Sequence, residues 1–247
     1  MKNTELITRF RHEVKSVECG PDSKLRVYNL FLLLQDAAYL SAENLGFGYH
    51  HLQAKNMTWV LSSLKVQFID LPQWNDQVKF ATWPSGHNRL LGFREFTVED
   101  KNANRLVNAS SEWLAIDLNS RRPMSMNDFE KPLPDTGDKV FDVSLNRLNP
   151  KRFGEGSVIH EIVVPQSSID ENGHVNNAEY VKWSLDGLHF TGIDFSSILS
   201  LQVSFISELF ENDRCKICFK KKDENTMLLW GMNSESKDYV FAIEIIL

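Results

Sequence analysis

Three polar residues, Asp170, Asn172 and His174, alternate through the octapeptide DENGHVNN (residues 170–177), just ahead of a helical segment. A carboxylate, Glu208, follows an alternating apolar run further on. Imidazole and carboxylate groups transfer protons near neutral pH, and an amide can orient a water or a carbonyl. Ordinary helix N-capping accounts for Asp170 and Asn172 as well as chemistry does. It does not account for His174, which lies between Gly173 and Val175, and packing alone is a poor reason for a carboxylate at 208. His50, His51 and His87 have no comparable context and read as surface or satisfied core residues.

Other chemistry finds little support. Cys215-x-x-Cys218 lies in a strand-like segment, where residues three apart point to opposite faces, and no second Cys/His pair accompanies it. The pair reads as two ordinary core or edge cysteines, and no metal or cofactor is expected. The chain contains no Gly-x-Ser-x-Gly, P-loop, dinucleotide glycine fingerprint or His-Glu-x-x-His. A net charge of −6 argues against a general nucleic-acid binder. No apolar run is long enough to span a membrane, and the start has no signal-peptide core. Three cysteines leave one unpaired, which suits a reducing compartment, so the cytoplasm is the expected location.

The elements that must hold the polar set are written twice. Residues 64–80 (LKVQFIDLPQWNDQVKF) and 201–217 (LQVSFISELFENDRCKI) align without a gap at an offset of 137. In each, Leu-x-Val-x-Phe marks a half-buried strand, and Asn-Asp (Asn75-Asp76, Asn212-Asp213) marks a turn, so the same hairpin is expected in both halves. One helix is predicted upstream of each, over 28–45 and 176–190; the second carries a stripe of Ala178, Val181, Leu185 and Leu188. Further strand-like runs, 90–99 and 105–116, then 227–232 and 239–247, complete a four-stranded antiparallel meander per half.

A sheet wrapped around one helix is an α+β unit of the hot-dog kind, and two in tandem would reproduce covalently the pairing of a two-fold dimer. The expected domains are 1–135, a Pro- and Gly-bearing linker at 136–150, and 151–247. Duplication also supplies an internal comparison. At an offset of 148, residues 22–29 match 170–177 at Asp, Val and Asn, setting Lys24 and Arg26 against Asn172 and His174, while Leu71 faces Glu208. Only the second half holds the polar set.

These residues resemble the acyl-acyl-carrier-protein thioesterases of plastids and bacteria. The spacing Asp170-x-Asn172-x-His174-Val175-Asn176-Asn177-x-x-Tyr180-x-x-Trp183 looks like that family's active-site signature. Trp59-Val60, Pro72-x-Trp74-x-Asp76, Thr82-Trp83, Arg94, Ala109-Ser110-Ser111-x-Trp113 and Arg121-Arg122 also fall in the family's order. The resemblance covers most of the chain, and the missing transit segment makes it look like the bacterial form.

It implies hydrolysis of a fatty acyl thioester of acyl carrier protein, with Asp170, Asn172, His174 and Glu208 as the catalytic network. Plant members typically carry cysteine directly after the glutamate; here that position is Leu209, so activated water is expected in place of a thiolate. Glu208 is the expected base, with His174 orienting or sharing the proton, Asn172 holding the water or carbonyl, and Asp170 organising the loop. Backbone N–H groups at the helix start, Val175 and Asn176, are expected to bind the oxyanion. Strict alternation from Leu201 would turn Glu208 to the other face unless a bulge intervenes.

Phe31, Leu34, Met57 and Trp59 are the expected acyl-pocket residues. An acidic carrier would need a local basic patch, from Arg121-Arg122, Lys151-Arg152 or Lys220-Lys221-Lys222. A homodimer of the chain is compatible with this reading. The competing activities are acyl-coenzyme A hydrolysis, hot-dog dehydration or hydration, and non-catalytic acyl binding.

Overall fold

The computed structural model describes residues 3–142, 145–193 and 197–247, and these fall into two compact units, Met1–Leu145 and Asn146–Leu247. The first contains β1 (Thr8–Glu13), α1 (Val27–Asn44), the short α2 (Tyr49–Gln53), β2 (Met57–Phe68), β3 (Gln77–His87), β4 (Leu91–Glu99) and β5 (Arg105–Asp117). The second contains β6 (Ser157–Val163), α3 (Asn177–Phe190), β7 (Ser200–Phe205), β8 (Arg214–Lys221), β9 (Thr226–Asn233) and β10 (Tyr239–Ile246). Val143 and Ser144, within the expected linker, lie outside the described residues.

Each sheet is antiparallel and carries one long helix. In α1 the residues Leu30, Phe31, Leu34, Ala37, Ala38 and Ser41 recur at helical spacing and are buried. Burying each leucine or phenylalanine contributes about 1.5–3 kcal/mol. In α3 the stripe is Ala178, Val181, Ser184 and Leu188, with Leu185 only half-buried. At Gly187 an added Cβ would meet Ile159 Cδ1 at 3.1 Å, so the helix backbone rests directly on β6.

The predicted hairpins do not exist. Pairing runs β1-β3-β4-β5-β2 in the first unit and β6-β8-β9-β10-β7 in the second, so neither β2 and β3 nor β7 and β8 are neighbours. The Asn-Asp turn instead ends a connection that crosses the unit. The expected four-stranded meander also lacked β1 and β6, which precede the helices and pair with β3 and β8.

Each crossing connection clasps the loop ahead of its helix. In the first unit Leu25 N–H donates to Pro72 O (2.8 Å) and Trp74 N–H to Ser23 O (2.9 Å); in the second Val175 N–H donates to Leu209 O (2.9 Å). Further matched bonds fix the equivalence of the halves. Arg26 N–H to Glu18 O corresponds to Asn176 N–H to Ser168 O, and the bridge Cys19↔Leu25 corresponds to Ile169↔Val175. Ser23 and Gly173 share a left-handed backbone (φ 62° and 83°).

These pairs set the loops at an offset of 150, two residues from the alignment on Asp, Val and Asn. Asp170, Asn172 and His174 therefore correspond to Gly20, Asp22 and Lys24. The crossing connections keep the offset of 137, with Leu71 opposite Glu208. The first unit still lacks the polar set.

The stretch between the units is stitched down at both ends. Thr136 and Val140 amides bond to Pro84 O and Glu95 Oε2, and Trp83 Nε1 donates to Asp138 O (2.8 Å). Leu148 N–H donates to Ser204 Oγ, and Gln202 Nε2 to Asn146 O.

Candidate active site

The loop ahead of α3 is built by a tight turn. Asp170 N–H donates to His174 O (2.9 Å), Gly173 N–H returns to Asp170 O (3.0 Å), and Asn172 N–H donates to Asp170 Oδ1 (2.8 Å). Gly173 supplies the left-handed residue this turn requires, at no Cβ cost. The turn holds Asp170 and His174 side by side, and the clasp through Val175 and Leu209 brings Glu208 to the same place.

His174 stands between two carboxylates. Its Nδ1 is 3.7 Å from Asp170 Oδ1 and its Nε2 is 3.5 Å from Glu208 Oε1. The three side chains are 21–32% exposed, which leaves them open to substrate and water while restricting their motion. Both separations are longer than a direct hydrogen bond. An imidazole bracketed in this way can pass a proton from one ring nitrogen while the other is held by a carboxylate. Asn172 directs Nδ2 toward Asp170 Oδ2 at 3.4 Å and is itself exposed.

Glu208 escapes strand alternation. β7 ends at Phe205, and the next two amides, Ile206 and Ser207, both reach Val240 O (2.8 and 3.1 Å), the double bonding of a bulge. Beyond it Leu209 is anchored three ways: its side chain is fully buried, its C=O accepts from Val175, and its N–H donates to Tyr180 Oη at 3.3 Å. Tyr180 is caged by Phe241 (5.1 Å), Trp183 (5.6 Å) and Phe205 (6.1 Å). Burial pushes its hydroxyl pKa up, keeping it neutral. Tyr180 lies within the signature, and its sequence signal is a tyrosine on an apolar helix face, whose hydroxyl needs a partner once buried.

The oxyanion assignment needs correction. Val175 N–H is committed to Leu209 O and Asn176 N–H to Ser168 O, while Asn176 Oδ1 caps the helix through Ala178 N–H (2.9 Å). Those two amides build the clasp and are not available to a substrate oxygen.

In the first unit an apolar pocket of about 90 Å³ is walled by Ala38, Ala42, Trp59, Phe93 and Trp113, with Arg94 also on its surface. Trp59 stacks on Phe129 (5.6 Å, 15°) and donates from Nε1 to Phe47 O. Phe31, Leu34 and Met57 are buried core residues that do not line it. The three cysteines are unpaired and buried, and burial pushes the Cys215 thiol up to about 12. Among the described residues no group of His, Cys, Asp and Glu is arranged to hold a metal, and no helix is long and apolar enough to cross a membrane.

Comparison with known proteins identifies the family. Residues 5–130 match the family described as acyl-ACP thioesterase N-terminal domain, and residues 153–244 match its C-terminal domain. The chain is 25% identical over 215 residues to the chloroplastic acyl-[acyl-carrier-protein] hydrolase FATB1 of Cuphea viscosissima, covering 82% of this chain and 51% of that protein. It is 27% identical over 193 residues to the chloroplastic palmitoyl-acyl carrier protein thioesterase of Arabidopsis thaliana, covering 73% and 47%. The chain thus spans about half the length of these plant relatives.

In fold it is similar to an acyl-ACP thioesterase from Bacteroides thetaiotaomicron, with a TM-score of 0.82 at 23% identity over 100% of this chain and 99% of that one. The 12:0-ACP thioesterase from Umbellularia californica gives a TM-score of 0.82 at 20% identity, over 98% and 96%. With both of its units matched, the tandem hot-dog chain belongs to the acyl-ACP thioesterase family.

Proposed function

We propose that this chain hydrolyses fatty acyl thioesters of acyl carrier protein, releasing a free fatty acid and the carrier thiol. The observation that carries this reading is the His174 imidazole set between Asp170 and Glu208, in the one unit that keeps the polar set. Glu208 and His174 take a proton from water, which attacks the thioester carbonyl. Asp170 fixes the ring through its Nδ1 side. Asn172 spends one N–H on Asp170 and offers the other to the developing oxyanion. The acyl chain is assigned to the apolar pocket of the first unit, with Trp59 in its wall.

The carrier's acidic surface is met by exposed Arg121-Arg122 or Lys151-Arg152. In the third basic run, Lys220 Nζ is tied to Phe153 O and Lys222 pairs with Glu244 at 3.6 Å. Three unpaired thiols support a reducing compartment such as the cytoplasm.

The test is a thiol-release assay on acyl-carrier-protein and acyl-coenzyme A thioesters of several chain lengths, with enoyl thioesters as a control for hydration. Glu208→Gln and His174→Ala are each expected to lower kcat by about 10²–10⁴-fold with an unchanged melting temperature. Near-normal turnover in either removes that residue from the mechanism, and hydration without thiol release overturns the activity.

A further inference from the structure

Asp170 and His174 belong to a closed loop, residues 168–176, held by three rungs. These are Asn176 N–H to Ser168 O (2.9 Å), the bridge Ile169↔Val175 and Asp170 N–H to His174 O (2.9 Å). The rungs fix the shape of the loop; its angle to α3 depends on what ties Ser168, the far side of its base, to the helix. Glu179 supplies that tie. It lies in the first turn of α3, and its Oε2 accepts the Ser168 hydroxyl at 3.0 Å. Ser168 and Glu179 are 5% and 6% exposed, so the bond is shielded from competing water. Lys182 Nζ, 3.3 Å from both carboxylate oxygens, answers the charge from the half-exposed side of the helix.

Ordinary helix capping does not account for this carboxylate. A glutamate three residues past the N-cap completes a capping box by accepting from the N-cap amide. Here that amide, Asn176 N–H, is taken by Ser168 O, and the carboxylate binds the Ser168 hydroxyl instead. Attraction to the helix dipole would be met as well by an exposed side chain. The twin loop makes the same tie without charge. At the offset of 150, Glu179 corresponds to Asn29 and Lys182 to Leu32, and Asn29 Nδ2 donates to Glu18 O at 2.7 Å. Packing therefore does not require an ion at this place, and burying one costs free energy. The unit that holds the polar set uses the charge-assisted bond, roughly twice as strong as a neutral one.

We propose that Glu179 is a positioning residue: through Ser168 it holds the loop at the angle that sets Asp170 and His174 against Glu208. It acts two residues upstream of Asp170 and takes no part in proton transfer. Its effect on turnover rests on the hydrolysis proposed above; its effect on the loop does not.

Variants of the full chain test this by thiol release and by the NMR resonances of the His174 ring. Ser168→Ala and Glu179→Ala should each lower kcat about tenfold or more at nearly constant KM, as loss of alignment implies, and should shift the His174 ring resonances. Glu179→Gln, whose carbonyl still accepts from Ser168, should recover most of both. Asn29→Ala is the control. It breaks the matching tie in the first unit, so it should lower the melting temperature comparably and leave kcat and the His174 resonances as in wild type. Ser168→Ala, which removes one oxygen, carries the test if Glu179→Ala does not fold. Unchanged kcat and His174 resonances in Ser168→Ala, or an equal loss of kcat in Asn29→Ala, overturns the proposal. Shifted His174 resonances in the variants of a chain whose wild type releases no thiol would overturn the proposed hydrolysis and leave the positioning role standing.

Discussion

Tyr180 anchors the segment that carries Glu208. Its hydroxyl accepts the Leu209 N–H, one residue from the carboxylate, inside a cage of Phe205, Trp183 and Phe241. Tyr180→Phe leaves the cage intact and strands a buried amide, at a cost of about 1–3 kcal/mol. The expected outcome is a lower melting temperature together with a fall in kcat of about ten- to a hundredfold at nearly constant KM, because Glu208 loses its fixed position. Unchanged kcat with lowered stability would make Tyr180 a packing residue only. At this scale the clustering of Asp170, Asn172, His174 and Glu208 was legible, because a twin sequence lacked the set. The partners of Val175 and Asn176 amides were not, since a helix start predicts free N–H groups without revealing that another loop will take them.

The strap formed by residues 135–140 depends on β3 and β4. Thr136 bonds to Pro84 O, Trp83 to Asp138 O, and Val140 to the buried carboxyl of Glu95. Burial raises the Glu95 pKa above its unfolded value, with the bonds from Ser85, Val140 and Ser110 acting the other way. The folded protein therefore binds that proton more tightly than the unfolded chain. The associated stability is complete below the unfolded carboxylate range and is lost as pH rises through the raised folded value. Glu95→Gln does not titrate, so its melting temperature relative to wild type should climb as pH rises from the unfolded carboxylate range through the raised folded value. A difference independent of pH would show that folding does not shift the Glu95 pKa. Elements were partly legible: both long helices and the main strand runs carry strong periodicity. β1 and β6 were missed because Thr8–Glu13 holds Phe10 as its one apolar side chain and Ser157–Val163 is largely exposed. The hairpins failed because an Asn-Asp turn marks a change of direction without saying which strand will be the neighbour.

For the whole molecule, charge and length carry the remaining argument. A chain of net charge −6 that meets an acidic carrier must do so through local basic residues, so attraction is short-ranged and screened by salt. KM for carrier-bound substrate is expected to rise with ionic strength and to rise again in an Arg121→Glu/Arg122→Glu or Lys151→Glu/Arg152→Glu variant; indifference to both would remove these patches from docking.

Length separates the roles of the halves. Between the same two clasp points, Leu25 to Pro72 in one unit and Val175 to Leu209 in the other, the first unit is thirteen residues longer. The surplus is α2, a longer helix and a longer crossing strand: α1 has 18 residues to 14 in α3, and β2 has 12 to 6 in β7. Leu45, Phe47, Gly48, Tyr49, Thr58 and Trp59, all from that stretch, form part of the pocket wall. In terms of descent, the half that lacks the Asp170, His174 and Glu208 cluster is the half with the longer connection. Gain or loss of residues around 45–59 would therefore reshape the pocket wall of the first unit while leaving the loop at 170–174 of the second unit unchanged.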